Sequence, residues 1–518
     1  MTLDLSKLTA SAVRDGIVNK EFTARDVVEA SYARIDAVEE RVHAFNELTR
    51  ELADDVAAGI DAAVMAGEGL PPLGGVPVAF KDNMNLVGTH TTCSSKILQN
   101  YKSVYDCTAV RRMLDAGVIP IGKCNMDEFA FGSSTENSAF GPTHNPWDLD
   151  RVPGGSSGGS AACVSAGEVV LSLGSDTGGS IRQPGALTGT VAVKPTYGRV
   201  SRYGVVAFAS SLDQIGSFSK TVEECALSLN AICGDDPMDA TCVSRDTEDF
   251  TARLQEGATG LRIGLVRDML ELEGVDAEVK AATERAADMF RTLGAEVGEV
   301  DLPSAQHGLA AYYVIAPAEA SSNLARFDGI RYGYRVPDAE DVIDLYTRSR
   351  AEGFGPESIR RIMLGTYALS AGYYDAYYGQ AQKARTLIRR DFERAFRDYD
   401  VLLTPTSPTV AFKIGEKAAD PLAMYLSDVF TIPVNLAGIC AVSIPCGLSA
   451  NGNAPGLPIG LQLIGDHFAE AAILRAAWAF EQEIGFDTTS PWLAQTAVAG
   501  RGPLAGTGRG DAEAKTDR

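Results

Sequence analysis

Two glycine- and serine-rich clusters stand close together between Pro153 and Pro184. The first reads PGGSSGGS and the second reads GSDTGGSIR. Glycine permits backbone conformations that turn several N–H groups toward one point. Helix-like and strand-like apolar residues follow directly, which is not typical of a flexible linker. The clusters therefore predict a site at which the backbone closely approaches a ligand, with serine hydroxyls available as nucleophiles.

A serine nucleophile needs a base, and histidine is scarce, with 5 residues in a chain of 518. Lys81 follows the apolar segment VPVAF directly, at the end of a predicted strand. A lysine at a strand end is usually solvated, but a buried lysine loses its charge by desolvation and becomes a base near neutral pH. Because serine–lysine pairs are a known variant of nucleophile activation, Lys81 is the candidate base.

One familiar motif overlaps the first cluster. Gly154-x-Ser156-x-Gly158 matches the nucleophile elbow of α/β-hydrolases, which needs a preceding strand and a later aspartate and histidine. The preceding residues WDLDRVP are not strand-like, and only His307 and His467 follow. We interpret the match as fortuitous.

A second familiar motif resembles a phosphate-binding loop. Gly117-x4-Gly122-Lys123 has the right spacing, but Cys124 stands where serine or threonine should hold magnesium. Pro120 also interrupts the loop. We interpret this segment as structural, with a strand end followed by a helix.

Strands and helices alternate from residue 76 onward and must position these residues. Short apolar runs predict strands at 76–80, 118–121, 169–173, 191–193, 261–266, 401–403, 441–444 and 459–464. Helical periodicity predicts helices at about 108–116, 160–166, 222–231 and 277–293. The alternation predicts an α/β fold with a mixed, mostly parallel-type sheet that helices cover on both faces.

The ends of the chain differ from its middle. Residues 1–70 predict a helical segment packed on the core, with Thr23 as an N-cap and a third helix at about 47–66. Two prolines then mark a boundary, and residues 71–495 are the predicted catalytic domain. Residues 499–518 have few apolar side chains and predict a disordered tail.

Composition limits the partners. The formal net charge of −22 argues against broad contact with a phosphate backbone or an anionic membrane. No run of about 18 apolar residues exists, so no transmembrane helix is predicted, and the N-terminus does not resemble a signal peptide. Nine cysteines without a CxxC pair indicate free thiols in a reducing cytoplasm rather than a zinc site or a redox dithiol.

Lys81 and the two clusters together resemble the amidase signature family, and the resemblance covers about residues 5–490. Three separated elements in the same order make it more specific than a lone GxSxG. It implies a Ser–cis-Ser–Lys triad in which Ser180 is the nucleophile, Ser156 relays the proton and Lys81 is the base. The peptide bond at Ser156 is expected to be cis.

The resemblance also implies an oxyanion hole built from backbone N–H groups. Thr177, Gly178 and Gly179, with Ser180 itself, would supply the donors, and the glycines leave room for the tetrahedral centre. Asp176 and Arg182 flank this segment, and we expect them to form a supporting ion pair.

Further segments resemble one branch of this family, the amidase components of glutamyl-tRNA(Gln) amidotransferases. They are residues 122–141, 194–216, 312–333, 372–378 and 420–438. This branch implies a cytoplasmic heterotrimeric ligase of protein biosynthesis, in which the amidase component hydrolyses glutamine through an acyl-enzyme. Ammonia then passes to the second (B) component, which holds the tRNA, ATP and magnesium and converts Glu-tRNA(Gln) to Gln-tRNA(Gln). A small third (C) component clasps the other two, and no cofactor, metal or membrane contact is implied for this chain.

Recognition of free glutamine requires one cation and one anion, because the substrate carries an α-carboxylate and an α-ammonium. By resemblance, Arg361 takes the carboxylate, Asp428 takes the ammonium and Tyr312 lines the pocket. The residues alone leave other interpretations open. Arg361 and Asp428 could be solvated on helix surfaces, and Tyr312 could belong to the core.

Two other functions stay open from the sequence. A stand-alone amidase for another small or aryl amide would use the same triad. A non-catalytic scaffold would only bind partners, but it has no need of Lys81, Ser156 and Ser180 together. Amides that lack the amino-acid head would separate the stand-alone amidase from the glutaminase component of an amidotransferase.

Overall fold

The computed structural model describes residues 3–450, 454–490 and 492, so the predicted disordered tail at 499–518 lies outside the described residues. Eleven strands form one sheet. They are β1 (Phe45–Leu48), β2 (Pro77–Lys81), β3 (Ile119–Cys124), β4 (Leu171–Asp176), β5 (Val191–Lys194), β6 (Gln214–Ser219), β7 (Arg262–Val266), β8 (Glu296–Val300), β9 (Val401–Pro405), β10 (Cys440–Leu448) and β11 (Pro458–Gly465).

The described α-helices are α1 (Ala10–Val18), α2 (Ala24–Val42), α3 (Arg50–Met65), α4 (Thr108–Asp115), α5 (Gly158–Ser165), α6 (Arg182–Thr188), α7 (Val222–Ile232), α8 (Arg267–Leu270), α9 (Ala277–Thr292), α10 (Gly308–Asn323), α11 (Val342–Gly353), α12 (Pro356–Leu369), α13 (Tyr378–Ala395), α14 (Pro421–Tyr425), α15 (Ile432–Ala437) and α16 (Glu470–Ile484). Short 3-10 helices occupy Leu5–Lys7, Lys96–Leu98, Glu128–Ala130, Leu254–Glu256, Ala305–His307, Leu324–Arg326 and Leu426–Asp428.

The sheet is mixed, with the strand order β1-β3-β2-β4-β6-β5-β10-β11-β9-β7-β8. Strand β2 pairs in parallel with β3 and β4, and β7 pairs in parallel with β8 and β9. The other six pairings are antiparallel. The α/β fold with a mixed sheet is confirmed, but parallel pairs do not predominate as expected. The reason is that no α-helix separates β5 from β6 or β10 from β11, so the chain simply reverses.

Helices cover both faces of the sheet, as predicted. Successive strand residues point to opposite faces. Leu403 and Val442 belong to a hydrophobic cluster with α2, α4, α5, α7, α9 and α16. Their neighbours Leu402 and Ala441 belong to a second cluster with α10, α13 and α15. The second cluster also contains Tyr312, so this face carries part of the candidate site.

The region before residue 71 is helical except for one strand. Thr23 caps α2 as predicted, because its hydroxyl accepts from the N–H of Asp26 and the Asp26 carboxylate accepts from the N–H of Thr23. The prediction of a helix from residue 47 is wrong at its start, since α3 begins at Arg50. Residues Phe45–Leu48 instead form β1, which pairs antiparallel with β3 and satisfies the edge of that strand.

The nine cysteines all lie within the described residues as free thiols, and eight of them are buried. Among the described helices, none has the length and apolar character that crossing a lipid bilayer requires.

Helices α10 and α12 cross closely at Gly365. A Cβ at Gly365 would lie 1.8 Å from the carbonyl oxygen of Pro317 in α10. Only glycine permits this approach, because any side chain would overlap a backbone atom. The crossing matters for the site because α10 carries Tyr312 and α12 carries Arg361.

We expect Gly365→Ala to lower the free energy of unfolding by about 1–3 kcal/mol, the usual cost of overpacking. Urea unfolding of the purified chain measures the change. Gly59→Ala in α3 is the matched control, since nothing lies within 4 Å of the added methyl group. That variant should gain stability, because alanine is the better helix former. Equal stability of the two variants would contradict the close crossing.

Candidate active site

Lys81 ends β2 in the interior of the protein and is completely buried. Its Nζ donates to Ser156 Oγ at 2.8 Å, to Ser175 Oγ at 2.9 Å and to the Ser175 carbonyl oxygen at 3.2 Å. Burial lowers the pKa of Lys81 to about 7, although nearby carboxylates, Asp127 first among them, oppose the shift. A substantial fraction of Lys81 is therefore a neutral amine near neutral pH.

Ser156 lies just before α5, in the first glycine-rich cluster. The peptide bond between Gly155 and Ser156 is cis, the geometry that the resemblance implies. A Cβ at Gly155 would lie 2.2 Å from Asp127 Oδ2, so glycine is required where this segment crosses the aspartate. The Asp127 carboxylate in turn accepts from the N–H groups of Ser134, Thr135 and Asn137.

The second cluster forms the loop between β4 and α6, and hydrogen bonds tie it to the first. Ser157 N–H donates to the Ser180 carbonyl oxygen at 3.3 Å, and Ser157 Oγ donates to the Ser175 carbonyl oxygen at 3.1 Å. Ser180 is 8% exposed, and within the described residues its hydroxyl makes no hydrogen bond. No hydrogen bond therefore joins Ser156 to Ser180 in this structure.

The loop residues ahead of Ser180 present free backbone donors. The N–H groups of Gly178, Gly179 and Ser180 donate to no other group of the described chain. The Gly178 carbonyl, by contrast, is held from behind by Thr431 Oγ1 at 2.7 Å. Thr177 begins the loop, and its hydroxyl donates to Asp213 Oδ1 at 2.7 Å. Unpaired amides in a buried loop suit an oxyanion hole.

Asp176 and Arg182 form a completely buried ion pair behind this loop. Arg182 Nε and Nη2 both reach the carboxylate at 3.1 Å, and the N–H of Ile181 also donates to it at 3.1 Å. Burial acts to raise the pKa of Asp176, but Arg182 outweighs it and holds the pKa below its usual value. The pair fixes both ends of the loop, which matches its expected supporting role.

Two of the expected substrate-binding residues border the loop. The ring of Tyr312 lies against Gly178, because a Cβ there would meet its Cζ at 2.8 Å. Asp428 lies against Gly179, since a Cβ at that glycine would be 3.2 Å from Asp428 Oδ1. Both side chains are buried, so the structure places them beside the candidate oxyanion hole.

Asp428 has one oxygen paired and one free. Ser133 Oγ donates to Oδ2, whereas Oδ1 is buried without any hydrogen-bond partner among the described residues. Burial raises the pKa of Asp428 to about 7, and the bond from Ser133 opposes the shift. A buried carboxylate oxygen without a partner is costly, so this atom is suited to a cationic ligand.

Arg361 is buried on α12, opposite to the solvated alternative. Its Nε donates to Glu357 Oε1 at 2.7 Å, and its guanidinium lies 5.1 Å from the ring centre of Tyr313 and 5.3 Å from that of Tyr425. Within the described residues, its Nη1 and Nη2 atoms donate to no other group. These two nitrogens are the fork that binds carboxylates.

The two motifs interpreted as fortuitous have no part in the site. His307 lies at the start of α10 and His467 pairs with Asp466, and neither contacts Ser156. Gly117 is the turn between α4 and β3, so the segment is a helix followed by a strand, the reverse of the expected order. Lys123 is consumed by an ion pair with Asp82 at 3.1 Å.

Four residues of the site were not singled out from the sequence. Ser175 and Asn83 surround Lys81, Asp127 lies under Gly155, and Ser133 holds Asp428. Ser175 and Asn83 lie within the segments around the triad residues, which was the available signal. Asp127 and Ser133 lie in residues 122–141, which the sequence marked only as a segment of resemblance.

The described residues contain no group of three or more histidine, cysteine, aspartate or glutamate side chains that could hold a metal ion. Comparison with protein families gives one match, to the Amidase model over residues 26–474. The chain belongs to the amidase family. The match spans all the elements from α2 to the start of α16, including every residue of the site described above.

Relatives of this amidase are similar over nearly their whole length. The A chain of the glutamyl-tRNA(Gln) amidotransferase of Carboxydothermus hydrogenoformans is 56% identical over 491 residues, which cover 95% of this chain and 100% of the relative. The crystal structure of the protein of the same name from Thermotoga maritima is 44% identical, with a TM-score of 0.77 and coverage of 95% and 98%. The resemblance to this branch of the family is therefore confirmed.

A bacterial aryl acylamidase of the amidase signature family is also similar in structure. It is 26% identical, with a TM-score of 0.81, and the match covers 96% of this amidase and 99% of that chain. The fold is thus shared with enzymes of different names, while the higher identity lies with the amidotransferase components.

Proposed function

We propose that this amidase is the glutamine-hydrolysing component of a glutamyl-tRNA(Gln) amidotransferase. The observation that carries the proposal is the pair of unpaired charged groups at the site. The free Oδ1 of Asp428 lies beside the loop of Ser180, and the free guanidinium nitrogens of Arg361 lie on the neighbouring α12. An α-amino acid supplies both complementary charges, whereas an aryl amide supplies neither.

The proposed reaction is acyl transfer through Ser180. Its Oγ attacks the side-chain amide carbon of glutamine, and its proton passes through Ser156 to the neutral amine of Lys81. The negative charge that develops on the amide oxygen is stabilised by the N–H groups of Gly178, Gly179 and Ser180, with Thr177 at the start of the loop. The free amides of this loop support that assignment.

Collapse of the tetrahedral intermediate breaks the C–N bond. The proton held by Lys81 returns through Ser156 to the leaving nitrogen, which departs as ammonia and leaves a γ-glutamyl ester on Ser180. Water then attacks the ester with the same proton relay, releasing glutamate and regenerating the Ser180 hydroxyl. Every proton that leaves the serine relay in one half-reaction returns to it in the other.

The ammonia is consumed by partner chains in this proposal. The B component holds the tRNA and uses ATP and magnesium to activate the glutamate of Glu-tRNA(Gln), and the small C component joins the other two in a heterotrimer. The name of the relatives supports a tRNA-dependent assembly. The net charge of −22 supports leaving the tRNA to a partner, because phosphate is repelled from this chain.

Ammonia release by the co-purified complex tests the proposal. Glutamine should be hydrolysed, and an aryl acetamide should not be turned over at the same concentration. Turnover of the aryl acetamide with glutamine ignored would instead assign a stand-alone amidase and leave Arg361 and Asp428 without their roles.

Asp428→Asn should raise the KM for glutamine about 30-fold or more, because removing one member of a buried charge pair costs about 2 kcal/mol at least. The kcat should change much less, since Asp428 does not touch the reacting amide. For the wild type, the KM should also rise as the pH falls below about 7, where the carboxyl becomes protonated.

Steady-state kinetics with glutamine measure these effects. Asp391→Asn is the matched control, because Asp391 is a buried aspartate of α13 that accepts from the N–H of Ser304. Its KM should equal that of the wild type. An unchanged KM in Asp428→Asn would remove Asp428 from substrate binding.

A further inference from the structure

Three oxygen atoms surround the amine of Lys81, and two of them belong to one residue. Ser175 supplies its hydroxyl oxygen at 2.9 Å and its carbonyl oxygen at 3.2 Å, and Ser156 supplies its hydroxyl at 2.8 Å. Ser175 is 3% exposed and lies at the end of β4, next to the strand that carries Lys81. The mechanism proposed above uses only the contact with Ser156.

The hydrogen atoms available to a neutral amine decide what this arrangement does. A neutral lysine has two N–H bonds and one lone pair. The Ser175 carbonyl can only accept, so it takes one N–H bond. If the Ser175 hydroxyl oxygen accepts the other, the lone pair is left for Ser156, whose hydroxyl must then donate. That direction is the one in which a base withdraws a proton.

Asn83 fixes the role of the Ser175 hydroxyl. Its Nδ2 donates to Ser175 Oγ at 2.9 Å, two residues after Lys81 in the chain. An amide nitrogen has no lone pair to offer, so the hydroxyl oxygen acts as an acceptor on this side as well. Its two lone pairs therefore receive Asn83 and Lys81, and both donors are buried.

We propose that Ser175, held by Asn83, is a positioning residue that directs the lone pair of Lys81 toward the hydroxyl of Ser156. The inference rests on the proposed function, in which Lys81 is the base for amide hydrolysis. It adds a residue that contacts neither the substrate nor Ser180 and acts only through Lys81.

The same contacts serve the return of the proton. A protonated lysine has three N–H bonds, and the three oxygens accept one each. Ser156 Oγ then accepts from Lys81, so its own proton is free to pass toward the leaving nitrogen. Ser175 thus holds the amine in one orientation through both halves of the relay, and no rotation about the lysine side chain is needed between them.

The charged groups around Lys81 do not replace Ser175. Asp127, Asp176, Asp213 and the Cys93 thiol all act to raise the pKa of Lys81, against the larger effect of burial. None of them makes a hydrogen bond with its Nζ, whose partners are Ser156 and Ser175. They set how readily the amine is protonated, whereas Ser175 sets where its lone pair points.

Ser175→Ala tests the proposal in the assembled complex. Without the hydroxyl, an N–H bond of Lys81 can turn to Ser156 and the lone pair is misdirected. We expect kcat for glutamine to fall about 10–100-fold, a part of what a positioned proton-transfer group contributes. The protonated amine loses an acceptor, so the acid limb of the kcat–pH profile should move to lower pH. The KM for glutamine should stay unchanged.

Two further variants accompany it. Ser172→Ala removes another buried serine of β4, whose hydroxyl donates to the Ser160 carbonyl oxygen, and it should leave kcat and the acid limb unchanged. Asn83→Ala keeps both Ser175 and Lys81 but frees the serine hydroxyl. It should lower kcat less than Ser175→Ala does and move the acid limb in the same direction.

The inference is overturned if folded Ser175→Ala keeps the wild-type kcat, or loses kcat with the acid limb in place. If Ser175→Ala gives no folded complex, Asn83→Ala decides, and a wild-type profile for it also overturns the inference. The wild type is assayed first. Absence of glutamine hydrolysis there counts against the proposed function, whereas an active wild type with an unchanged Ser175→Ala counts against this inference alone.

Discussion

Replacement of Ser180 by alanine is expected to reduce ammonia release from glutamine about 10⁴-fold or more, the loss typical of removing a serine nucleophile. Without Oγ no acyl-enzyme forms, so the residual rate reflects only binding and the backbone donors of the loop. Ammonium salt supplied in place of glutamine should restore formation of Gln-tRNA(Gln) by the complex. That rescue separates loss of glutamine hydrolysis from loss of assembly.

Ser165→Ala provides the matched control for Ser180→Ala. Ser165 is a buried serine at the end of α5 whose hydroxyl donates to the Thr188 carbonyl oxygen at 2.9 Å. Its removal should leave glutamine hydrolysis unchanged. Mass spectrometry of the acid-quenched wild type should find the glutamyl ester on the peptide that contains Ser180. An ester on the peptide that contains Ser156 would reverse the roles of the two serines.

Lys81→Met should lower glutamine hydrolysis about 10²–10⁴-fold, the contribution of a positioned general base. In the wild type, activity requires the neutral amine. Because burial lowers the pKa of Lys81 to about 7, kcat should be constant above that pH and fall as the pH drops below it. A kcat–pH profile between pH 5 and 9 measures the limb. A profile that is flat on the acid side would remove Lys81 as the base.

Other buried groups titrate in the same range, so the limb needs an assignment. Burial lowers the pKa of Lys194 to about 7 as well, and it raises that of Asp213 to about 6. Lys194→Met should keep the limb, because Lys194 contacts the Pro195 carbonyl and Gln214 rather than Ser156. Ionisation of an amine absorbs heat, whereas that of a carboxyl group hardly does. The limb should therefore move to lower pH on warming.

The sequence predicted the parts of the fold that depend on apolar runs. The strands that became β2, β4 and β11 are continuous apolar segments, and their burial on both faces explains the clear signal. Strands β1, β6 and β8 escaped prediction, because FNEL, QIGSFS and EVGEV contain polar residues or glycine at most positions. Their pairing comes from neighbouring strands that are distant in sequence.

The site was predictable to the extent that spacing carries it. Lys81, Ser156 and Ser180 have a fixed order and distinctive neighbours, so they could be proposed together from the sequence. Ser133 and Asp428 are separated by 295 positions, and no local pattern indicates that their side chains meet. The close approach of Tyr312 to Gly178 likewise depends on how α10 packs. Contacts of this kind follow from tertiary packing.

The loop of Ser180 faces two groups of residues with separate attachments. Lys81, Ser156 and the loop itself come from strands and turns between residues 77 and 182, whereas Tyr312, Arg361 and Asp428 come from helices between residues 308 and 428. Substitutions in the helical group can therefore exchange one acyl donor for another without disturbing proton transfer. An evolutionary lineage, or a designed library restricted to α10, α12 and residues 426–428, could change substrate while inheriting the chemical step intact.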